Sequence, residues 1–360
     1  MSKDKGKRKV LKIVLISFAA CVAVLGLTAF IGFKNYIGKM NLVNNAQSTV
    51  DIENIDIEEL DEVDASADAS DVNASTEEID SLEEQIRNNM EENSLAIKSD
   101  KDVLNILLIG SDTRTAGKGG RSDAMILVSV NEKTKKIIAT SLLRDIYLQI
   151  PGVSNNRINA AFAYGGADLL METIKNNFKI EIDRYVSIDF YAFMKVVDII
   201  GGVNVTVTDK DVPIMNSYIQ GLNQLLGRDS ELDTIKEAGN LDINGIQTLA
   251  YVRNRYVGTD FARTTKQREV LEKVFHKVKG SNIIELNKIL NVVLPEVTTN
   301  LTEGELFSLI LKVPAYSKYN LEQFSVPAEG TYNFLRIRGM DVIGIDFEEN
   351  IAELHDKIYE

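Results

Sequence analysis

Twenty-one consecutive residues without a charge, Ile13 to Phe33 (IVLISFAACVAVLGLTAFIGF), constrain this chain more than any other feature. At ~1.5 Å of helical rise per residue the run matches a hydrocarbon layer of roughly 30 Å. No second run of that length follows. The apolar core of a cleavable leader is shorter, about 7–15 residues, so the expectation is an anchor that stays. The first twelve residues carry Lys3, Lys5, Lys7, Arg8, Lys9 and Lys12 against Asp4 alone. Basic flanks stay on the cytoplasmic side. Residues 1–12 are therefore read as a basic cytoplasmic tail, 13–33 as a transmembrane helix, and everything beyond as extracellular: a single-pass type II membrane protein. A tail this short is too small to fold as a DNA-binding domain. The one cysteine, Cys21, lies inside the run, so the fold stands without intrachain disulfides.

The net charge of -13 is unevenly spread. Residues 41–100 hold 18 acids against two bases, Arg87 and Lys98, whereas residues 101–360 hold 34 acids and 30 bases. The acidity thus belongs to a tail, and no basic patch dominates, which argues against nucleic acid as a partner. Residues 34–100 read as an acidic extracellular linker, partly helical. The stretch 51–75 is rich in Asp, Glu, Ser and Ala, has no aromatic residue, and cannot bury enough surface to fold alone. Residues 76–92 place Ile79, Leu82 and Ile86 at helical spacing, and the expectation is a solvated, fraying helix. The linker's expected task is reach, holding the domain off the membrane surface.

From Lys101 to Glu360 the texture becomes that of one folded domain. VLNILLIGSD, AMILVSVN and KIIATSLL read as strands, and NAAFAYGGADLLMETIKNNF as an amphipathic helix. RYVSID is another strand, FYAFMKVVDII a helix closed by Gly201 and Gly202, and VNVTV a strand. Residues 208–240 look like a polar excursion. Helices follow at NGIQTLAYVRNR, from Asp260 to about Lys279, and over 283–312. LEQFSVP and MDVIGID close the series as strands before a final helix, FEENIAELHDKIYE. Strands alternating with helices predict an α/β domain whose sheet is covered on both faces.

Charged residues gather where these elements end. Asp112 follows the first strand, Arg121 and Asp123 precede the second, and Arg144 and Asp145 follow the third. A later stretch, YVRNRYVGTDFARTTKQ, carries Arg253, Arg255, Asp260, Arg263, Lys266 and Gln267, with Arg268 just beyond. Ligands of α/β sheets sit outside strand termini. Guanidinium groups are permanently charged and grip phosphate oxygens through a planar fork. Arginines beside carboxylates suit a polyphosphate ester held with a divalent cation. Taken alone, the Arg253–Arg263 set is equally a solvated helix face, and Asp123 and Asp145 equally serve as partners of the adjacent Arg121 and Arg144. Phe190, Phe193, Val196, Val197 and Ile200 at helical spacing read as core. His276 and His355 sit in helical patterns away from any nucleophile turn, and read as surface or packing residues.

Six blocks in order, NILLIGSDTR, GRSDAMILVSV, RDIYLQI, RINAAFAYGG, IDFYAFMKVVDIIGGVNV and YVRNRYVGTDFARTTKQREVL, resemble the LytR–CpsA–Psr family of envelope glycopolymer ligases. The resemblance covers about residues 103–346. It implies a three-layer αβα domain around a mixed central sheet. It implies a phosphotransferase that moves an anionic glycopolymer from a polyprenyl-pyrophosphate carrier to peptidoglycan as a phosphodiester, with Mg²⁺ assisting and a hydrophobic pocket for the lipid tail. By the same resemblance Asp112 and Asp123 match the acidic positions near the metal, Arg121 matches the pyrophosphate-binding arginine, and Arg144 the arginine of the family's Pro-Arg-Asp turn. These four are the implied catalytic residues, with Arg121 and Arg144 also binding pyrophosphate. Arg253, Arg255, Asp260, Arg263, Lys266 and Gln267 match the pyrophosphate-binding blocks. Leu143 and Ile146 depart from the family's Pro and Thr or Ser, and Lys266 replaces an arginine, keeping charge but losing the bidentate fork. The alternatives are a polyprenyl-pyrophosphate hydrolase and a non-enzymatic envelope regulator, and the polymer itself, teichoic acid, capsule or another wall glycan, is left open.

Overall fold

The computed structural model describes residues 32–43, 74–91, 96–111, 120–254 and 260–360. Among them no helix is long and apolar enough to cross a membrane. The run Ile13–Phe33 lies outside the described residues except for its last two.

Seven strands form the central sheet in the order β1-β10-β7-β2-β3-β4-β11. They are β1 (Asn41–Leu42), β2 (Val103–Ser111), β3 (Ser122–Asn131), β4 (Lys136–Leu142), β7 (Arg184–Asp189), β10 (Val297–Thr299) and β11 (Asn320–Val326). β2 pairs antiparallel with β3, and β3 with β4, while β2–β7, β4–β11 and β1–β10 are parallel and β10–β7 antiparallel. The sheet is therefore mixed, as expected. Three two-stranded antiparallel sheets complete the β structure: β5 (Tyr147–Gln149) with β6 (Asn155–Arg157), β8 (Val203–Val207) with β9 (Gly239–Ile243), and β12 (Tyr332–Ile337) with β13 (Met340–Ile345).

Helices cover both faces. On one side lie α1 (Thr76–Glu91), α2 (Ile158–Phe178) and α9 (Phe347–Tyr359), packed on Leu107, Ile109, Met125 and Leu127 of the sheet. The helix α2 is bent at Gly165 and Gly166, whose backbone leaves the helical region, with Gly166 at φ 63°. On the other side lie α3 (Phe190–Ile199), α4 (Asp211–Leu225), α5 (Gly245–Arg253), α6 (Asp260–Gly280), α7 (Ile283–Val293) and α8 (Glu303–Tyr316). The segment expected as a polar excursion contains α4, which buries Met215, Ile219 and Leu222 in a second core with Phe190, Val196 and Val197.

Two parts of the expected linker belong to this body. Leu82, Ile86 and Asn89 of α1 are buried, so it is a docked element and not a solvated, fraying helix. Its Asn89 amide donates to the Asn177 carbonyl at 3.0 Å. Further upstream, residues 32–43 pack against α7 and α8 and supply β1 as the edge of the central sheet.

The two sheet faces differ in cover. Along β2, Val103, Leu107 and Ile109 are buried, whereas Leu104, Ile106 and Leu108 are only half-buried. Cross-strand pairing puts Val128 beside Ile106 and Ala139 beside Val128, both half-buried as well. An apolar face is thus left partly open beneath α6 and α8 (a fully sandwiched sheet would close it).

Candidate functional site

The described charges meet at the ends of β2, β4 and β11, where the parallel strands of an α/β sheet leave room for a ligand. The turn after β4 sets the geometry. Leu143 and Ile146 are fully buried and bracket Arg144 and Asp145 between them. The two family departures at these positions therefore anchor the turn in the core, which does the work of a stiff ring. The Ile158 amide donates to the Ile146 carbonyl at 2.8 Å, tying the same turn to the start of α2.

From this turn the Arg144 guanidinium reaches across to β3 and donates Nη1–H to Asp123 Oδ1 at 2.6 Å. Its Nε lies 3.4 Å from Asp145 Oδ1, and Arg157 Nη1 lies 3.6 Å from that same oxygen. Arg253, at the last position of α5, brings Nη2 to 3.8 Å from Asp123 Oδ2 and stacks its guanidinium over the Phe190 ring at 5.7 Å. Asp123 thus stands between two arginines contributed by chain segments more than a hundred residues apart. Arg144 thus meets both a carboxylate 21 residues earlier in the chain, Asp123, and its own neighbour, Asp145.

Arg268 approaches from α6. Its Nη1 donates to the Ser141 and Ser325 hydroxyls at 3.0 and 2.8 Å, linking the ends of β4 and β11. Burial pushes its pKa below the ordinary arginine value, yet a guanidinium stays charged in any physiological range. Lys266, expected to face the pyrophosphate, is engaged by a carboxylate that Asn254, next to Arg253, also holds. Its Nζ contacts Asp211 Oδ1 at 2.5 Å and lies over the Tyr251 ring at 4.7 Å. Burial would raise the Asp211 carboxyl, but hydrogen bonds from Lys266 and Thr208 outweigh it and leave the group below its usual value.

Asp112 and Arg255 lie outside the described residues. Asp260 and Arg263 fall on α6 by backbone, and nothing is described of their side chains. Arg121 is half-buried just before β3, and Gln267 half-buried on α6. Arg157, which no motif in the sequence marks, is 2% exposed and partners Asp145. A single arginine at a strand–helix junction carries no local pattern, and its partner becomes visible only once β5 and β6 pair. His355 packs between elements with Nε2 3.1 Å from the Phe178 carbonyl, and burial lowers its pKa.

A family model described as the LytR_cpsA_psr family matches residues 67–352. Biofilm regulatory protein A of Streptococcus mutans is 35% identical over 249 residues, covering 65% of this chain and 58% of that protein. The polyisoprenyl-teichoic acid–peptidoglycan teichoic acid transferase TagV of Bacillus subtilis is 30% identical over 272 residues, covering 72% of this chain and 65% of its own. The chain therefore spans somewhat under two thirds of these two relatives. Among solved structures, TagT bound to LI-WTA matches with a TM-score of 0.57 and 28% identity, over 73% of this chain and 95% of that one. The family protein YwtF (TagT) with bound octaprenyl pyrophosphate lipid matches with a TM-score of 0.54 and 27% identity over the same shares.

Proposed function

The chain belongs to the LytR_cpsA_psr family, and from that premise we propose that it is a phosphotransferase moving an anionic glycopolymer from a polyprenyl-pyrophosphate carrier onto peptidoglycan. One observation carries the reading. Asp123, Arg144 and Arg253 converge from three stretches of chain at the end of a half-covered apolar sheet face. A cationic end beside a greasy face is what an isoprenoid pyrophosphate requires of a protein: charge for the headgroup, and apolar surface for the tail.

In the proposed reaction a sugar hydroxyl of the acceptor attacks the phosphorus that bears the polymer. A new oxygen–phosphorus bond forms, the bridging P–O–P bond breaks, and polyprenyl phosphate leaves. The hydroxyl proton passes to a carboxylate, Asp123 or Asp112. Such transfers have loose transition states, so positioning and charge stabilisation dominate. Arg144 is already fixed by Asp123 and Asp145, which removes most of the cost of ordering a long side chain at the moment of reaction. Arg253, rigidified over Phe190, faces the same carboxylate. Arg121, Arg255, Asp260, Arg263 and Gln267 are proposed to complete the pyrophosphate cradle. Lys266, committed to Asp211, is proposed to shape the cradle from behind.

The donor set suits Mg²⁺. Among the described residues no three His, Cys, Asp or Glu side chains gather around one point. Asp123 is a hard oxygen ligand on an arginine-rich wall, and Mg²⁺ commonly takes one or two carboxylates plus phosphate oxygens and water. Asp123, with Asp112, would hold the ion. Bound there, it would neutralise developing charge on the phosphate oxygens. The run Ile13–Phe33 is proposed as a type II anchor, with the folded body outside the cell.

Acceptor dependence tests the reading. With a polyprenyl-pyrophosphate-linked glycan, purified protein should release polyprenyl phosphate rapidly only when peptidoglycan is present, and label should enter the wall fraction. Equal release with and without peptidoglycan would make the protein a hydrolase. No release in either case, with polymer attachment in cells also unchanged, would leave a regulator.

A further inference from the structure

The helix α8 is apolar almost all round, yet none of its 14 residues is buried. Phe307, Ile310, Leu311 and Val313 are 39, 52, 65 and 57% exposed. An ordinary surface helix keeps such residues against the core, and an exposed cluster of this kind marks a contact surface. The apolar side chains Ile284 at the start of α7 and Leu321 at the start of β11 are also open, at 65 and 57%.

The position of α8 says what it meets. It crosses the sheet at the end opposite the arginines. Glu305 pairs with Arg184 at the start of β7, and Lys312 and Tyr316 both hold Glu132, just past β3. At about 3.3 Å per strand residue, β2 separates this end from the charged site by roughly 25 Å. Phe33, the last residue of the 21-residue uncharged run, stacks edge-on against Phe307 of α8 with ring centroids 5.0 Å apart. Lys34 pairs with Glu303 in the first turn of α8. From there the chain follows α7, with Tyr36 donating to Asn287 at 2.6 Å and Lys39 to Asn291, and enters the sheet as β1. The apolar run thus ends on α8 itself. Exposed Lys133 and Lys135, in the turn between β3 and β4, stand at the same end of the sheet, where basic side chains favour an anionic lipid surface.

We propose that α8, with Ile284 and Leu321, rests in the outer face of the lipid bilayer, so that the folded body sits flush on the membrane and not at the end of a tether. This rests on the anchor reading of Ile13–Phe33 and deepens the proposed function. The half-covered sheet face then runs from the bilayer surface up to Asp123, Arg144 and Arg253. An isoprenoid chain passes from lipid to protein without crossing water.

The protein contains no tryptophan, so a single one introduced at Leu311 reports alone. Full-length Leu311→Trp protein is reconstituted in vesicles of phosphatidylglycerol and phosphatidylethanolamine. Leu225→Trp, at a similarly open position on α4 (57% exposed against 65%), serves as the reference. The expected result is a blue-shifted Leu311→Trp emission, quenched several-fold more by doxyl-labelled lipid than that of Leu225→Trp. Equal quenching at both sites, in protein that still floats with the vesicles after alkaline washing, would overturn flush seating while leaving the anchor intact. Protein that washes off the vesicles would remove the anchor and this proposal together. Persistent acceptor-dependent transfer in detergent would leave the proposed function standing in either case.

Discussion

Arg144 is the residue on which the site's geometry turns. It bridges Asp123 and Asp145 from a turn whose flanking residues, Leu143 and Ile146, are fully buried. Lysine at this position keeps the charge but cannot reach both carboxylates in one plane. Arg144→Lys should therefore lower transfer on the order of 10²-fold, the usual effect of losing one preorganised donor to transition-state charge. A melting temperature within a few degrees of the parent would separate that outcome from simple unfolding, and near-parental turnover would refute it. The sequence signals Arg144 and Arg253 by their place at element ends. It does not signal Arg157, nor the pairing of Lys266 with Asp211, 55 residues earlier. Those are decided by which strands and helices lie side by side, a long-range matter that spacing along the chain does not encode.

At the scale of elements, two helices behave differently from their sequence. The acidic composition of α1 suggests a solvated helix, since three apolar positions among many charges bury little. The structure gives those positions a socket against the core, with Ile86 1% exposed. Ile86→Ala should cost about 2–5 kcal/mol, the range for emptying a core aliphatic site. Urea denaturation of the folded body would register it, and a cost near zero would mean the helix is undocked. The helix α8 shows the converse, apolar in composition and open in structure. Its hold on the sheet includes two ion pairs, Glu305 with Arg184 and Lys312 with Glu132. The hydrogen bond from Arg184 lowers Glu305 from an ordinary 4.5 to about 2. A depressed carboxylate contributes stability above its unfolded value and loses it as pH falls through the folded one. The parent should thus lose thermal stability between about pH 4.5 and 2. In Glu305→Gln this loss should be smaller, with the two melting temperatures converging near pH 2. Parallel curves would show that the pair contributes nothing. The long strands β2, β3 and β4 are legible as apolar runs. β1 and β10, two and three residues long, are not, because so short a strand exists only through its neighbours.

For the whole molecule, the acidic segment 44–73 leaves the body at β1 and returns beside the β12–β13 hairpin, where the Ala74 amide donates to the Arg336 carbonyl at 2.9 Å. Both its ends are fixed to one body, so reach is not what it supplies. Replacing its Asp and Glu residues by Asn and Gln should leave polymer attachment in cells unchanged, as measured by wall-bound phosphate. A drop of several-fold would show that the charges themselves matter. A further consequence follows from β1. Its two residues close one margin of the sheet, and they come from chain that a worker preparing a water-soluble fragment would discard. Cutting after residue 43 would strip β10 of its outer neighbour and leave the outer edge of this three-residue strand without a strand partner. Such a fragment should self-associate edge to edge, and oligomers seen with it would be products of the cut.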